Sequence, residues 1–346
     1  MTFCASNCME VNMLFNEFVG QDEIKEYLKK SIKDNNVSHG YIFEGNKGIG
    51  KYNMALLFAQ SLLCDNFSEE PCNECSSCIK VNTMNHPDLH IISTTDKSIK
   101  REVIDELIES INQKPYESER KIYIIKNSED MTPQAANTFL KTLEEPIGNT
   151  IIILLTENSN LLLPTISSRC QIIKFKRIDN SIIASYVKDK FRLDSNTAKL
   201  IAYYSQGVLL NAEKIALDEN DILKRRSEII KIYDKILSND RNIIFEYEEY
   251  FEENKDNIDE LIEILMAWLR DIYFKKYGID DLIINTDYMD LLDSHSKIVK
   301  THNIDKLIKY LQNVSYDIKN NVNYKLIIDN MLIKLQEEVK VEGNYK

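Results

Sequence analysis

Glycine and proline are scarce in this chain, nine and six among 346 residues. That scarcity excludes long low-complexity or loop-dominated stretches and leaves room for many helices. No apolar run approaches the roughly 18 residues a bilayer-spanning helix needs, so no membrane segment is expected. The first residues, Met1 to Val11, carry neither a basic start nor a long apolar stretch. They read as a tail, or as the product of an upstream start codon, rather than as a signal peptide, and a cytoplasmic location is expected. Positive charge is also lacking. With 55 acidic against 43 basic residues the formal net charge is −12, the opposite of what phosphate neutralisation demands of a protein that grips DNA alone. Seven cysteines remain, and in a reducing compartment these are thiols or metal ligands rather than disulfides.

What is present reads as alternating strands and helices. Ile24, Leu28 and Ile32 form one stripe within 21–33, a helical spacing. HGYIFEG (39–45) is a short buried run ending in glycine, and Met54, Leu57, Phe58 and Leu62 then repeat at helical intervals over 51–64. DLHIIS (88–93), KIYIIK (121–126), TIIILLT (150–156) and QIIKF (171–175) are four further apolar runs. Helical stripes lie between them: Val103, Ile104, Leu107 and Ile111, then Ala136, Phe139, Leu140 and Leu143. Thr132-Pro133 has the form of an N-cap followed by proline at the first helical position, and Glu145-Pro146 ends that helix. Continuous rather than alternating apolar runs indicate strands buried on both faces, hence a five-stranded parallel sheet covered by helices. Near residue 178 the character changes. Residues 179–216 read as two or three short helices, and 222–340 as longer ones, with Leu261, Ile264, Leu265, Trp268 and Ile272 on one face. The acidic stretch 246–260 reads as a solvated helix face, and no internal repeat is evident.

The loop after the first strand runs Gly45-Asn46-Lys47-Gly48-Ile49-Gly50-Lys51-Tyr52. It fits the phosphate-binding P-loop through its lysine. Its glycines let backbone N–H groups curl around a phosphate, the following helix N-terminus adds positive potential, and Lys51 can reach a terminal phosphate. The next residue should be Ser or Thr to ligate Mg²⁺, and here it is Tyr52. The apolar strand KIYIIK should end in an acidic pair; Lys126 and Asn127 stand there instead. Glu129 and Asp130 come later and read as charges complementing a helix N-terminus. Two losses around one metal argue against ATP hydrolysis. Lys51 and the glycines leave weak ATP or ADP binding open.

Cys64, Cys72, Cys75 and Cys78 are spaced C-x7-C-x2-C-x2-C. Four thiolates suit a closed, structural Zn²⁺ site. An iron–sulfur cluster is the rival, though here the fourth cysteine lies upstream and no Cys-Pro follows. Unrelated buried thiols are a third reading, opposed by the polar residues between them. Cys4 and Cys8 are assigned to the tail and Cys170 to the core.

FNEFVGQ (15–21), the His39 strand with its P-loop, the four cysteines, His86-Pro87-Asp88, PQAANTFLKTLEEP (133–146) and LLPTISSRC (162–170) together resemble the AAA+ clamp-loader subunits of bacterial DNA polymerase III. The likeness is close over about 13–178 and extends beyond only in helical character. It implies a P-loop AAA+ (RecA-like) α/β domain over 1–178 with an inserted zinc module (64–78), a helical lid (179–216) and an all-α collar for oligomerisation (217–346). Within that family the gamma/tau motors keep full nucleotide motifs, and this chain matches the branch that has lost some of them. Asn211 stands where the lid's sensor arginine belongs, and Thr156 matches the sensor-1 region. The resemblance implies a non-hydrolysing stator in a heteropentamer with gamma/tau and delta subunits, reaching the sliding clamp and primer–template DNA through the complex. Arg169 of Ser168-Arg169-Cys170 would serve as an arginine finger to a neighbouring motor; taken alone, an arginine at a strand entrance is usually a surface ion-pair residue. The alternatives are a gamma/tau-like motor ATPase, opposed by Tyr52, Lys126 and Asn127, and a zinc-dependent nucleic-acid-binding module, opposed by the net charge.

Overall fold

The computed structural model describes residues 13–66, 68–93, 98–217, 219–238, 243–319 and 323–339. Cys4 and Cys8, and the tail expected at residues 1–12, lie outside them. The chain gathers into two compact units: the described residues through Ile182 together with Gly207–Asn211, and Ile183–Gln206 together with Ala212 onward.

The first unit is built on five strands, β1 (Gly40–Glu44), β2 (Leu89–Ile92), β3 (Lys121–Ile125), β4 (Thr150–Thr156) and β5 (Gln171–Lys174). They lie in the order β2-β3-β4-β1-β5, and every pairing is parallel. Register follows the apolar runs, with Tyr41 opposite Ile153 and Ile124 opposite Ile153 from the other side. Because side chains alternate across a strand, the runs divide between two cores. Tyr41, Phe43, Ile122, Ile124, Ile151 and Ile153 pack with α1 (Asp22–Lys33) and α2 (Lys51–Leu63). Ile42, Tyr123, Ile125, Ile152 and Leu154 join the opposite core with α4 (Arg101–Ile111) and α5 (Pro133–Glu144), counting as α3 the short helix Ser76–Asn82. Burial on both faces of the sheet thus explains why the runs show no polar alternation.

The Thr132 side chain accepts the Ala135 N–H and Pro133 opens α5, as the sequence suggests. Helix α3 is not foreshadowed by periodicity. The short helix α6 (Pro164–Ser167) leads into β5.

Among its described residues the second unit holds helices and connecting loops and no strand. It holds α7 (Asn180–Phe191), α8 (Ser195–Tyr204), α9 (Leu209–Leu217), α10 (Glu219–Leu237), α11 (Ile243–Glu253), α12 (Ile258–Lys276), α13 (Met289–Ile298), α14 (Thr301–Lys319) and α15 (Tyr324–Val339), with ends of α7 and α9 contributed by the first unit. Leu261, Ile264, Leu265, Trp268 and Ile272 of α12 are all buried at its centre. Most acidic side chains described in that stretch are exposed, while Phe251 and Ile258 are buried; Glu260 pairs with Arg225 at 2.7 Å and Glu248 with Lys325, tying α12 to α10 and α11 to α15.

Candidate functional site

Parallel strands bring their C-terminal ends to one edge of the sheet, where loops form the usual ligand crevice of open α/β folds. The P-loop follows β1, Lys126 to Glu129 follow β3, and Thr156-Glu157 end β4. These segments enclose a cavity of about 530 Å³ whose lining includes Gly48, Gly50, Lys51, Tyr52, Lys126 and Thr156. Met13 and Met84 add apolar wall that no motif announces.

The loop keeps the backbone of a phosphate cradle. Gly50 caps α2 at φ 100°, and a Cβ there would lie 2.7 Å from Phe18 Cζ. Gly48 has φ 81°, with Val208 and Leu210 packed over it. The Gly45 N–H donates to the Thr156 carbonyl at 3.2 Å, fixing the loop to β4. Lys51 Nζ folds back to donate to the carbonyls of Gly45 and, at 3.1 Å, Asn46. Burial holds its ammonium below the usual lysine range, opposed by the nearby carboxylates of Glu157 and Glu129.

Tyr52 and Lys126, which stand where the sequence pattern calls for a hydroxyl and an acid, meet. Lys126 Nζ lies 3.5 Å from the centroid of the Tyr52 ring, a close cation–π contact. Burial lowers the Lys126 ammonium and raises the Tyr52 phenol. Glu129 lies with Asp130 in the first turn of a short 3-10 helix, Ser128–Asp130. Asn127 adopts a left-handed conformation at φ 47°, and the turn directs Glu129 inward, where Oε1 accepts the Glu157 N–H at 3.1 Å. Thr156 Oγ1 faces its own loop, donating to the Asn158 carbonyl at 3.2 Å. Asn211 is exposed and is not among the cavity's lining.

The four cysteines converge. Their Sγ atoms all lie within 4.8 Å of one another, with Cys64–Cys75 at 4.0 Å and Cys72–Cys78 at 3.9 Å. A tetrahedral ion with metal–sulfur bonds near 2.3 Å sets sulfurs about 3.8 Å apart, so the cluster has the geometry to hold a metal. Cys64 ends α2 and Cys75 caps α3, its sulfur accepting the Cys78 N–H at 3.4 Å. Backbone N–H groups from Glu74 and Cys75 bring the Cys72 thiol down to about 6, while burial pushes Cys64 and Cys78 up. Cys64 and Cys78 are buried despite the polar spacer because α3 packs Ser77, Cys78 and Val81 inward. The module is fastened outward by Glu70, which accepts the Phe15 N–H at 2.8 Å and pairs with Lys29 at 2.6 Å.

Arg169 sits between α6 and β5, one third exposed, with Nη2 2.7 Å from Glu144. Cys170 packs against the second core, as expected, and burial pushes its thiol up to about 12.

Fold and site together define a RecA-like AAA+ P-loop protein with Tyr52 and Lys126 beside its phosphate-binding loop. The family model described as DNA polymerase III, delta subunit, matches residues 20–179, and the one described as DNA polymerase III, delta subunit, C terminal, matches 220–337. The DNA polymerase III subunit delta′ of Bacillus subtilis is 31% identical over 92% of this chain and 96% of its own length. The delta′ subunit of Haemophilus influenzae is 26% identical over 87% of this chain and 91% of its own. The tau subunit of Bacillus subtilis is 30% identical, over 64% of this chain and 40% of its own length. The chain belongs to the delta′ family of DNA polymerase III clamp-loader subunits.

Proposed function

We propose that this chain is a non-hydrolysing stator of a clamp-loader heteropentamer, joined there to gamma/tau motor subunits and a delta subunit and acting through them on the sliding clamp and primer–template DNA. The observation that carries the reading is the Tyr52–Lys126 contact. A hydroxyl and a carboxylate that hold Mg²⁺ in working P-loop enzymes are here a phenol and an ammonium that hold each other. Arg169 is the residue assigned to a neighbour's ATP site: its guanidinium stays charged and forks onto phosphate oxygens. Such a finger is worth about 10³–10⁵ in rate at the site it serves. Zn²⁺ is the ion assigned to Cys64, Cys72, Cys75 and Cys78, where it would brace α2 against α3 with no open position for substrate. Residues 179–216 are assigned to a lid and 217–346 to an oligomerising collar.

The test is ATPase of the isolated chain and of the complex reconstituted with and without it. The isolated chain should show no Mg²⁺-dependent turnover, and the complex should need it for full DNA-stimulated activity. Robust turnover by the chain alone sinks the stator reading.

A further inference from the structure

Lys126, just after β3, and Lys51, at the start of α2, line the same cavity. Among the described residues its Nζ makes no hydrogen bond or ion pair; its partner is the Tyr52 ring. We propose that this cavity binds the phosphate chain of a nucleotide without a divalent cation, the Lys126 ammonium supplying the positive charge that Mg²⁺ supplies in a P-loop ATPase. The inference rests on the reading above that Mg²⁺-dependent chemistry has been lost here.

Four features support it. The cradle is intact: Gly48 and Gly50 keep left-handed backbone, and α2 opens its N-terminus onto the same space. Lys51 spends its donors on two carbonyls of its own loop, and a charged phosphate oxygen is the stronger acceptor. Tyr52 holds Lys126 in place by its ring face, so that the ammonium is positioned before any ligand arrives. Burial disfavours both ammoniums, a cost that a polyanion bound beside them removes.

Glu129 supplies the opposing case. Its Oε2 is buried without a hydrogen-bond partner, and it lines the same cavity. A cation, if one bound, would find its ligand there. The effect of Mg²⁺ therefore decides between Lys126 and Glu129 as the group that governs the site.

The experiment is calorimetric titration of the full chain with ADP, ATP and pyrophosphate. It is run first in buffer cleared of divalent cations by resin, since a soluble chelator would strip the cysteine site, and then with excess Mg²⁺. ADP and ATP should bind in the first arm, and Mg²⁺ should weaken binding or leave it unchanged. Pyrophosphate binding shows whether the phosphate chain alone suffices. Lys126→Gln should weaken nucleotide binding at least tenfold with an unchanged melting temperature, while Lys126→Arg should keep most of it. Tighter binding with Mg²⁺, no nucleotide binding at millimolar concentration, or equal binding by Lys126→Gln overturns the proposal. The Mg²⁺ comparison needs no variant and so survives a variant that fails to fold. Absence of binding leaves the stator reading standing, whereas ATP turnover in the Mg²⁺ arm removes both.

Discussion

Arg169 is held by its own chain through Glu144: Nη2 stands 2.7 Å from Oε1, and Nη1 donates to the Thr165 carbonyl at 2.8 Å. The pair is half-exposed on the Glu144 side, and such ion pairs are worth only ~0–1 kcal/mol. A phosphate on a neighbouring subunit could therefore compete for the guanidinium at little cost. Arg169→Ala should leave folding and pentamer assembly intact but lower turnover at the neighbouring site by ~10³ or more. Glu144→Gln should retain activity, since it removes the intramolecular partner and not the finger. DNA-stimulated ATPase of the reconstituted complex measures both, and undiminished turnover with Arg169→Ala would dismiss the finger.

The cysteine cluster should carry one Zn²⁺ per chain by elemental analysis. Cys78 is the most deeply placed ligand, fully buried where α3 meets α2. Cys78→Ser, or stripping the metal, should unfasten α3 and the Glu70 contacts to Phe15 and Lys29. A fall of at least about 5 °C in melting temperature is expected. Equal stability of the metal-free chain would mean that the thiols brace nothing.

Gly50 and Gly148 make a controlled pair. Both have positive φ, 100° and 61°, but a Cβ at Gly50 would meet Phe18 at 2.7 Å, while one at Gly148 would meet nothing within 4 Å. Alanine at Gly148 should cost the backbone strain alone, ~1–2 kcal/mol. Alanine at Gly50 should cost a further ~1–3 kcal/mol of overpacking and disturb the phosphate loop. Urea unfolding of the two variants gives the difference, and equal losses would show that Phe18 yields freely.

Much of the first unit is legible because its strands are buried on both faces. A run such as Thr150–Thr156 has no polar alternation to blur its ends, and the observed β4 coincides with it. Thr132-Pro133 is equally plain, since cap and first-turn chemistry are local. Helix α3 escapes because Ser76–Asn82 is short and buries Cys78 and Val81 beside a serine, leaving no apolar stripe to count. Glu129 is legible only in part, as an acid at a helix start. Its direction depends on the left-handed turn at Asn127, which spacing does not encode. Tyr52 and Lys126 each read as a loss; that they touch one another depends on packing of α2 against the residue after β3.

The second unit carries a proton-sensitive contact that its single tryptophan can report. Trp268 Nε1–H donates to His295 Nδ1 at 3.2 Å, and His295 Nε2 lies 2.9 Å from Asp234 Oδ1. Nδ1 must keep its lone pair, so the neutral ring with its proton on Nε2 fits both bonds. Burial holds the imidazole below the usual histidine range, opposed by the Asp234 carboxylate. A histidine lowered in the folded state contributes stability that is full above its unfolded value, near 6.5, and drains away as pH falls toward the folded one. Protonation would set a second N–H against the indole donor and break the contact. Resistance to urea should thus begin to fall as pH drops below about 6.5, and tryptophan emission of the folded chain should shift only at lower pH, where the imidazole protonates in the native state. His295→Gln should remove the pH dependence of the emission at some cost in stability. Emission that stays constant down to the onset of general acid unfolding would show that the Trp268–His295 bond does not titrate.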